Sequence, residues 1–383
     1  MRILMVSMNS IHFVRWTQQL EKSGHDVFWF DILDGGKSKH LPWVKQITGW
    51  KQKYPNFKGR YFFKKRLPFL YKKLSFLFEY NTEKVFENVL LEVKPDVVHS
   101  FVLQISCLPI LEIMKKHRGI KWIYSSWGSD LFNKKNKPNY KNDLKSVLSR
   151  IDYLFTDCRR DYNISVEYGF KGTFLGVFPG GGGFKYRELE VDYIKPLNGR
   201  KIILVKGYQG KLGRAIAILK ALSLLTDQLS NINVVVFGAD EEVRKYIKRN
   251  EIFSKLEIEV KPKKEFLPHE EILKLMGKSL IYVGNSVSDG MPNTLLEALV
   301  MGAFPIQSNP GGATEDFIES RKNGLLINDC DNHVHIAELI EGVLKNPELL
   351  ESAFKINQYK IKPKLEYSYI QKQVLNAYDG IEI

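Results

Sequence analysis

The stretch SVSDGMPNTLLEALVMGAFPIQSNPGGATE, residues 286–315, decides the reading of this chain. It is preceded by LIYVG at 280–284, an apolar run of strand length that leads through a polar turn into a helix starting near Asn293. Asp289 and Glu297 bracket that turn and helix start. A second turn, Asn309-Pro310-Gly311-Gly312, follows the apolar run 304–306 and leads to Glu315. Gly290, Gly311 and Gly312 let backbone approach a ligand closely. The open N–H groups of a helix start suit phosphate oxygens. A carboxylate one turn into the helix does not suit phosphate; it suits ribose or sugar hydroxyls, which donate hydrogen bonds to it. The plainer alternative is a βαβ unit in which Asp289 or Asn293 caps the helix and the glycine pair only turns the chain.

On both sides of this stretch the chain alternates strands with helices. Residues 2–6, 27–32, 95–101, 121–127 and 153–157 read as strands, with helices predicted at 13–22, 82–93, 107–117 and 140–149. Pro179 and the four glycines after it punctuate the chain. A second series follows, with strands at 201–207, 232–238, 257–260, 280–284 and 324–329 and helices near 213–226, 240–249, 269–277 and 332–345. The pattern predicts an α/β protein of two Rossmann-like domains, 1–185 and 199–361. A length of 383 residues agrees, at roughly 150 residues per domain. In such sheets ligands bind beyond the carboxyl ends of the strands.

Hydrophobic and charged fractions of 44% and 26% are those of a globular protein. Cys107, Cys158 and Cys330 lie far apart, have no zinc or redox spacing, and suggest a reducing compartment. The start MRILMVSMNS has no long apolar core, so no signal peptide is expected, and no apolar run long enough for a transmembrane helix occurs. The net charge of +14 is concentrated: from Gly35 to Phe78 there is no Asp or Glu. Residues 37–78 instead carry Lys37, Lys39, Lys45, Lys51, Lys53, Lys58, Arg60, Lys64, Lys65, Arg66, Lys72 and Lys73. Trp43, Trp50, Phe57, Tyr61, Phe62, Phe63, Phe69, Tyr71, Phe76 and Phe78 are interleaved with them. This pattern suits an anionic membrane surface, or a solvated basic face whose aromatics pack inward. No nucleic-acid motif accompanies it, and no nucleic-acid partner is expected.

The 286–315 stretch resembles the donor-binding signature of the retaining glycosyltransferases of family 4. In that signature two glutamates stand eight positions apart, and a Gly-Gly turn and a third Glu follow. Here Asp289 takes the first glutamate position, Glu297 the second, and Gly311, Gly312 and Glu315 the rest. The segments 7–27, WGSD at 127–130 and KGYQGKLGRA at 206–215 are also similar to this family. The resemblance implies the GT-B fold: two facing Rossmann-like domains with an interdomain cleft. The donor would lie in the second domain and the acceptor in the first, which a C-terminal helix at about 362–383 would join.

A nucleotide-sugar donor leaves as a diphosphate, so growing negative charge needs neutralising. Lys206 and Arg214, with Lys211 in reserve, are the cations placed for this, although Gly207 stands where the family carries an arginine. Glu297 is then the ribose ligand and Asp289 faces the transferred sugar. Gly290, Met291, Pro292, Asn293 and Thr294 line the sugar and phosphates, with Gly311, Gly312 and Glu315 completing the donor site. In the first half, Asn9, Ser10 and His12 follow the first strand and are candidates for the acceptor side. His12 equally suits a capping or packing role, and His99 reads as an interior histidine. Trp127 stands where many family members carry a histidine near the reaction centre. Asp130 is a candidate catalytic residue for an acceptor hydroxyl, or else a cap.

Asp329-Cys330-Asp331 has the spacing of a metal-binding carboxylate motif but reads as a turn, and no HExxH, GxSxG or Walker pattern occurs. No cofactor and no metal are expected. The resemblance implies transfer of a hexosyl-type sugar, with retention, to a lipid-linked or saccharide acceptor. The setting would be bacterial surface-polysaccharide biosynthesis such as O-antigen or capsule, in the cytoplasm, peripheral on the inner face of the membrane. A nucleotide-sugar epimerase or phosphorylase on the same fold is an alternative, as is a non-catalytic membrane-docking scaffold.

Overall fold

A computed structural model describes residues 1–56, 59–135, 137–185 and 193–383. Phe57 and Lys58 of the basic segment lie outside these residues. The chain divides into two compact units. The first comprises Met1–Asp157, Tyr162–Gly182 and Gln373–Ile383; the second comprises Cys158–Asp161 and Gly183–Lys372.

The first unit is built on a parallel sheet of strands β1 (Arg2–Ser7), β2 (Asp26–Asp31), β3 (Lys45–Ile47), β4 (Val97–Phe101), β5 (Lys121–Ser125), β6 (Tyr153–Thr156) and β7 (Thr173–Val177), in the order β3-β2-β1-β4-β5-β6-β7. The short strand at the β3 edge and β7, which contains Gly176, escape sequence reading. So does the helix Arg159–Glu167. Central strands are largely apolar because both faces are covered, with His99 and Ser100 of β4 among the buried polar exceptions. Leu4 and Val6 of β1 pack with Val98, Trp122 and Leu154 on one side. On the other side, Trp16 of the helix Ile11–Gln18 meets His99, Phe101 and Phe155 edge-on. Tyr378, from the C-terminal segment, closes this second face. Its hydroxyl accepts from Trp16 Nε1 at 3.2 Å and lies 2.5 Å from His99 Nδ1.

The second unit has a six-stranded parallel sheet: β8 (Ile202–Lys206), β9 (Asn233–Ala239), β10 (Glu257–Pro262), β11 (Ser279–Gly284), β12 (Phe304–Ser308) and β13 (Leu325–Ile327), ordered β10-β9-β8-β11-β12-β13. Alternation splits each strand between two cores. Ile203 and Val205 join Val234, Val236, Ile281 and Val283 on one side, while Leu204, Val235 and Tyr282 face the other. The edge strand β10 reads EIEVKP, with Glu257 and Glu259 exposed, as an edge requires. Strand order reverses between β1 and β4 in the first unit and between β8 and β11 in the second. The loops after these strands are therefore the ligand-facing ones.

Within the basic segment, the helices Arg60–Arg66 and Pro68–Phe78 form. Tyr71 is buried, and Trp50 stacks on Phe30 at 4.9 Å between ring centroids. Phe62, Phe69 and Phe76 stay 66%, 84% and 65% exposed. The aromatics therefore divide between an inward and an outward set. Among the described residues no helix is long and apolar enough to cross a membrane.

Candidate active site

Strand β11 ends at Gly284, at the switch point of the second sheet, and the donor-type turn begins with Asn285. This asparagine is buried, and its Nδ2 donates to Cys330 O at 2.8 Å and Arg214 O at 3.3 Å. The Cys330 thiol, its pKa pushed up by burial, donates to Ser286 O at 3.1 Å. The turn 329–331, distant in sequence, therefore lies against the start of the 286–315 stretch. Its Asp329 Oδ1 accepts from Asp331 N at 3.0 Å, as expected of a turn, and Asp331 pairs with Arg214 Nε at 3.0 Å.

The helix Asn293–Met301 begins at Pro292, which supplies no side-chain cap. Asp289 does not cap the helix either; its Oδ1 accepts from Gly290 N at 3.0 Å, and the residue remains half-buried. Gly290, Met291 and Pro292 are buried, and Asn293 and Thr294 half-buried. Glu297 is only 5% exposed, and its Oε1 lies 2.7 Å from His269 Nε2. Tyr282, at the base of the turn, donates its hydroxyl to Thr294 Oγ1 at 2.9 Å. Burial, and then the charges of Glu297 and Asp289, push its pKa up, so it remains a donor. In the second turn, Gly311 and Gly312 adopt φ of 65° and 84°, the left-handed region that favours glycine. Glu315 is exposed, and its Oε1 accepts from Asn309 Nδ2 at 2.6 Å.

The cations are arranged differently from the sequence expectation. Lys206 Nζ sits 4.8 Å from the ring centre of Tyr208, and Lys263 Nζ, from beyond β10, lies 4.5 Å from the same ring. Gly238 makes room for this ring: a Cβ there would stand 2.8 Å from Tyr208 Cε1. Gly207, at the family's arginine position, has a physical reason. A Cβ on it would lie 2.7 Å from the Ala239 Cα, so no side chain fits. Arg214 is directed largely to its own loop, with Nη1 donating to Gly210 O and Gly213 O at 2.8 and 2.9 Å beside the Asp331 pair. Lys211 is exposed.

In the first unit, Asn9 is exposed after β1, and Ser10 caps the following helix by accepting from Phe13 N at 3.2 Å. The His12 ring lies 5.5 Å from that of Trp127, whose Nε1 is buried without a hydrogen-bond partner among the described residues. The expectation for Asp130 needs correction. It is 3% exposed, and its carboxylate accepts from Leu103 N at 3.0 Å, Tyr124 Oη at 2.6 Å and Trp127 N at 3.0 Å. Burial pushes its pKa up against the effect of these donors. Such a carboxylate holds the 127–130 loop together rather than meeting a substrate. His99 is an interior histidine, bonded to Tyr378 and, at 2.8 Å, to Ser125 Oγ.

Sequence reading missed His269, Tyr208, Lys263, Tyr282 and Asn285. Tyr208, Tyr282 and Asn285 lie within or beside the quoted segments 206–215, 280–284 and 286–315 but were not singled out there, whereas Lys263 and His269 lie outside them and are brought in by strand order and helix packing.

Two family models match the chain: "Glycosyl transferase 4-like" over residues 2–158 and "Glycosyl transferases group 1" over residues 193–361. Spore coat protein SA of Bacillus subtilis (strain 168) is 26% identical over 188 residues, 48% of this chain and 50% of that protein. The chain thus aligns with about half the length of this curated relative. Two solved structures share the fold. The lipopolysaccharide outer core galactosyltransferase WaaB, in its apo form, superposes with a TM-score of 0.69 at 16% identity, covering 99% of each chain. Anabaena HepE in complex with UDP-glucose does so with a TM-score of 0.69 at 10% identity, covering 100% of each. With both sheets, their strand order and both family matches in agreement, this chain belongs to the group 1, family-4-like glycosyltransferases of the GT-B fold.

Proposed function

We propose that this glycosyltransferase moves a hexosyl group from a nucleoside-diphosphate sugar to a lipid-linked or saccharide acceptor, with retention and without a metal. The proposed setting is the assembly of a surface polysaccharide. The observation that carries the reading is Glu297: a nearly buried carboxylate one turn into a helix with no side-chain cap, at the switch point of a parallel sheet. Hydroxyls of the donor ribose suit its free acceptor capacity. The helix start and Lys206, with Lys211 and Lys263, suit the diphosphate as its charge grows on departure. Asp289 meets hydroxyls of the transferred sugar, whose pocket runs along Gly290–Thr294 and the Gly311-Gly312 turn. Asn9, His12 and Trp127, beside the switch point of the first sheet, serve the acceptor. No side chain is assigned as a nucleophile. Retention is ascribed to same-face substitution, with the departing phosphate taking the acceptor's proton.

The exposed aromatics and lysines of residues 37–78 support docking on the anionic inner face of a membrane, where a lipid-linked acceptor would be met. Binding to anionic vesicles should weaken as salt rises and on charge reversal at Lys64, Lys65 and Arg66. Absent or salt-insensitive binding would remove this part. An epimerase would need further acid–base groups at the sugar, and a phosphorylase usually needs a cofactor lysine; neither has been placed. The test of the whole reading is nucleotide release from a panel of UDP-, GDP- and ADP-sugars, with and without EDTA, for wild type beside Glu297→Ala. Release of one nucleotide, unaffected by EDTA and lost in the variant, is expected. Vesicle binding with no thermal shift from any nucleotide would favour the scaffold instead.

A further inference from the structure

His269 lies outside every motif of the sequence, yet it supplies the one side-chain bond that Glu297 makes among the described residues. An ionised carboxylate offers acceptors only, so Nε2 carries the proton of this 2.7 Å bond. The two residues stand on packed helices, His269–Lys278 and Asn293–Met301, which share a core of Leu273, Met276, Leu295 and Leu296. That core fixes the spacing of the pair. The acids next to His269 are otherwise engaged: Glu270 and Glu271 pair with Lys274 at 2.9 and 3.0 Å. His269 itself keeps 45% side-chain exposure against 6% for Glu297, so its ring is not a packing element of the core.

We propose that His269 is a positioning residue for the donor: its Nε2–H fixes Oε1 of Glu297 and leaves Oε2 to receive a ribose hydroxyl. The inference rests on the reading of Glu297 as the ribose ligand. A carboxylate without this bond turns about its terminal torsion, which is soft. Orienting it in advance lowers the ordering cost of binding. Removing the imidazole should therefore weaken recognition of the ribose while leaving the helices in place. An amide that also donates should restore it.

The test measures binding of UDP, GDP and ADP, and of the 2′,3′-dideoxy form of whichever binds tightest, to the full chain. Wild type, Glu297→Ala, His269→Ala and His269→Gln are compared, with thermal melts alongside. The expected result is that wild type prefers the ribo form by on the order of tenfold or more, as for a hydrogen bond to a charged group. Glu297→Ala and His269→Ala should both lose most of that preference, and His269→Gln should keep it. A purely structural role would lower the melting temperature without changing the ribo-to-dideoxy ratio, and that result overturns the proposal. If Glu297→Ala loses the preference and His269→Ala keeps it, the positioning role fails and the donor reading stands. If wild type binds no nucleotide, or binds both forms equally, the donor reading fails and this inference with it.

Discussion

Asp130 and Glu297 are both nearly buried carboxylates beside a loop at the carboxyl end of a parallel sheet, and they differ in how many donors the protein gives them. Asp130 receives two main-chain N–H groups and a tyrosine hydroxyl, all from its own unit. Glu297 receives one imidazole N–H and keeps Oε2 without a bond among the described residues. Burial alone does not separate a structural acid from a functional one. The difference lies in how much acceptor capacity the protein has already filled.

The comparison breaks most visibly at Asp130. Asp130→Ala strands three donors in a buried loop and should cost about 3–5 kcal/mol of stability, at about 1–3 kcal/mol for each buried group left without a partner. Urea unfolding measures it, and a loss below about 1 kcal/mol would count against the structural role and return Asp130 to the candidates for an acceptor hydroxyl. Glu297→Ala should leave stability close to wild type. It should lower kcat/KM about a hundredfold, in line with one or two lost hydrogen bonds to a charged group. Turnover kinetics beside a thermal melt separate these effects.

Tyr378 sharpens the contrast from the core side. Tyr378→Phe removes the partner of Trp16 Nε1 and His99 Nδ1 and should cost about 1–3 kcal/mol. Donor binding by the second unit should be unchanged.

The smallest effect concerns pH. Burial holds His99 well below 6.5, so it stays neutral in the folded protein while the unfolded chain takes up a proton. Stability from this group is full above about 6.5 and falls as pH drops through that value, by up to about 1.4 kcal/mol per pH unit. His99→Asn should be less stable at pH 7.5 but show a shallower slope below pH 6.5. An equal slope would assign the acid sensitivity to other groups.

Much of the fold was legible because its central strands are buried on both faces and read as short apolar runs, IILV and LIYV among them. The edges were not: KQI is three residues long, and TFLGV carries a glycine and little periodicity. In the 286–315 stretch, the glycines and Glu297 stand out by spacing as candidates, while His269 does not, because helix packing alone brings it there. For the same reason the two readings of Asp130, catalytic candidate or cap, could not be separated in the sequence. Its partners come from residues 103, 124 and 127, and no local pattern announces that the main chain has used up its oxygens. The turn 329–331 was correctly read as a turn, but its place against Arg214 and Asn285 follows from the pairing of β12 with β13 beside β11.

The most direct measurement is calorimetric binding of UDP, GDP and ADP to wild type, Glu297→Gln and Asp130→Asn, each at a temperature where it is folded. One nucleotide should bind to wild type and to Asp130→Asn alike, and at least about tenfold more weakly to Glu297→Gln, whose amide replaces a charged acceptor. Unchanged binding by Glu297→Gln, with binding lost in folded Asp130→Asn, would reverse the two carboxylates and contradict the account.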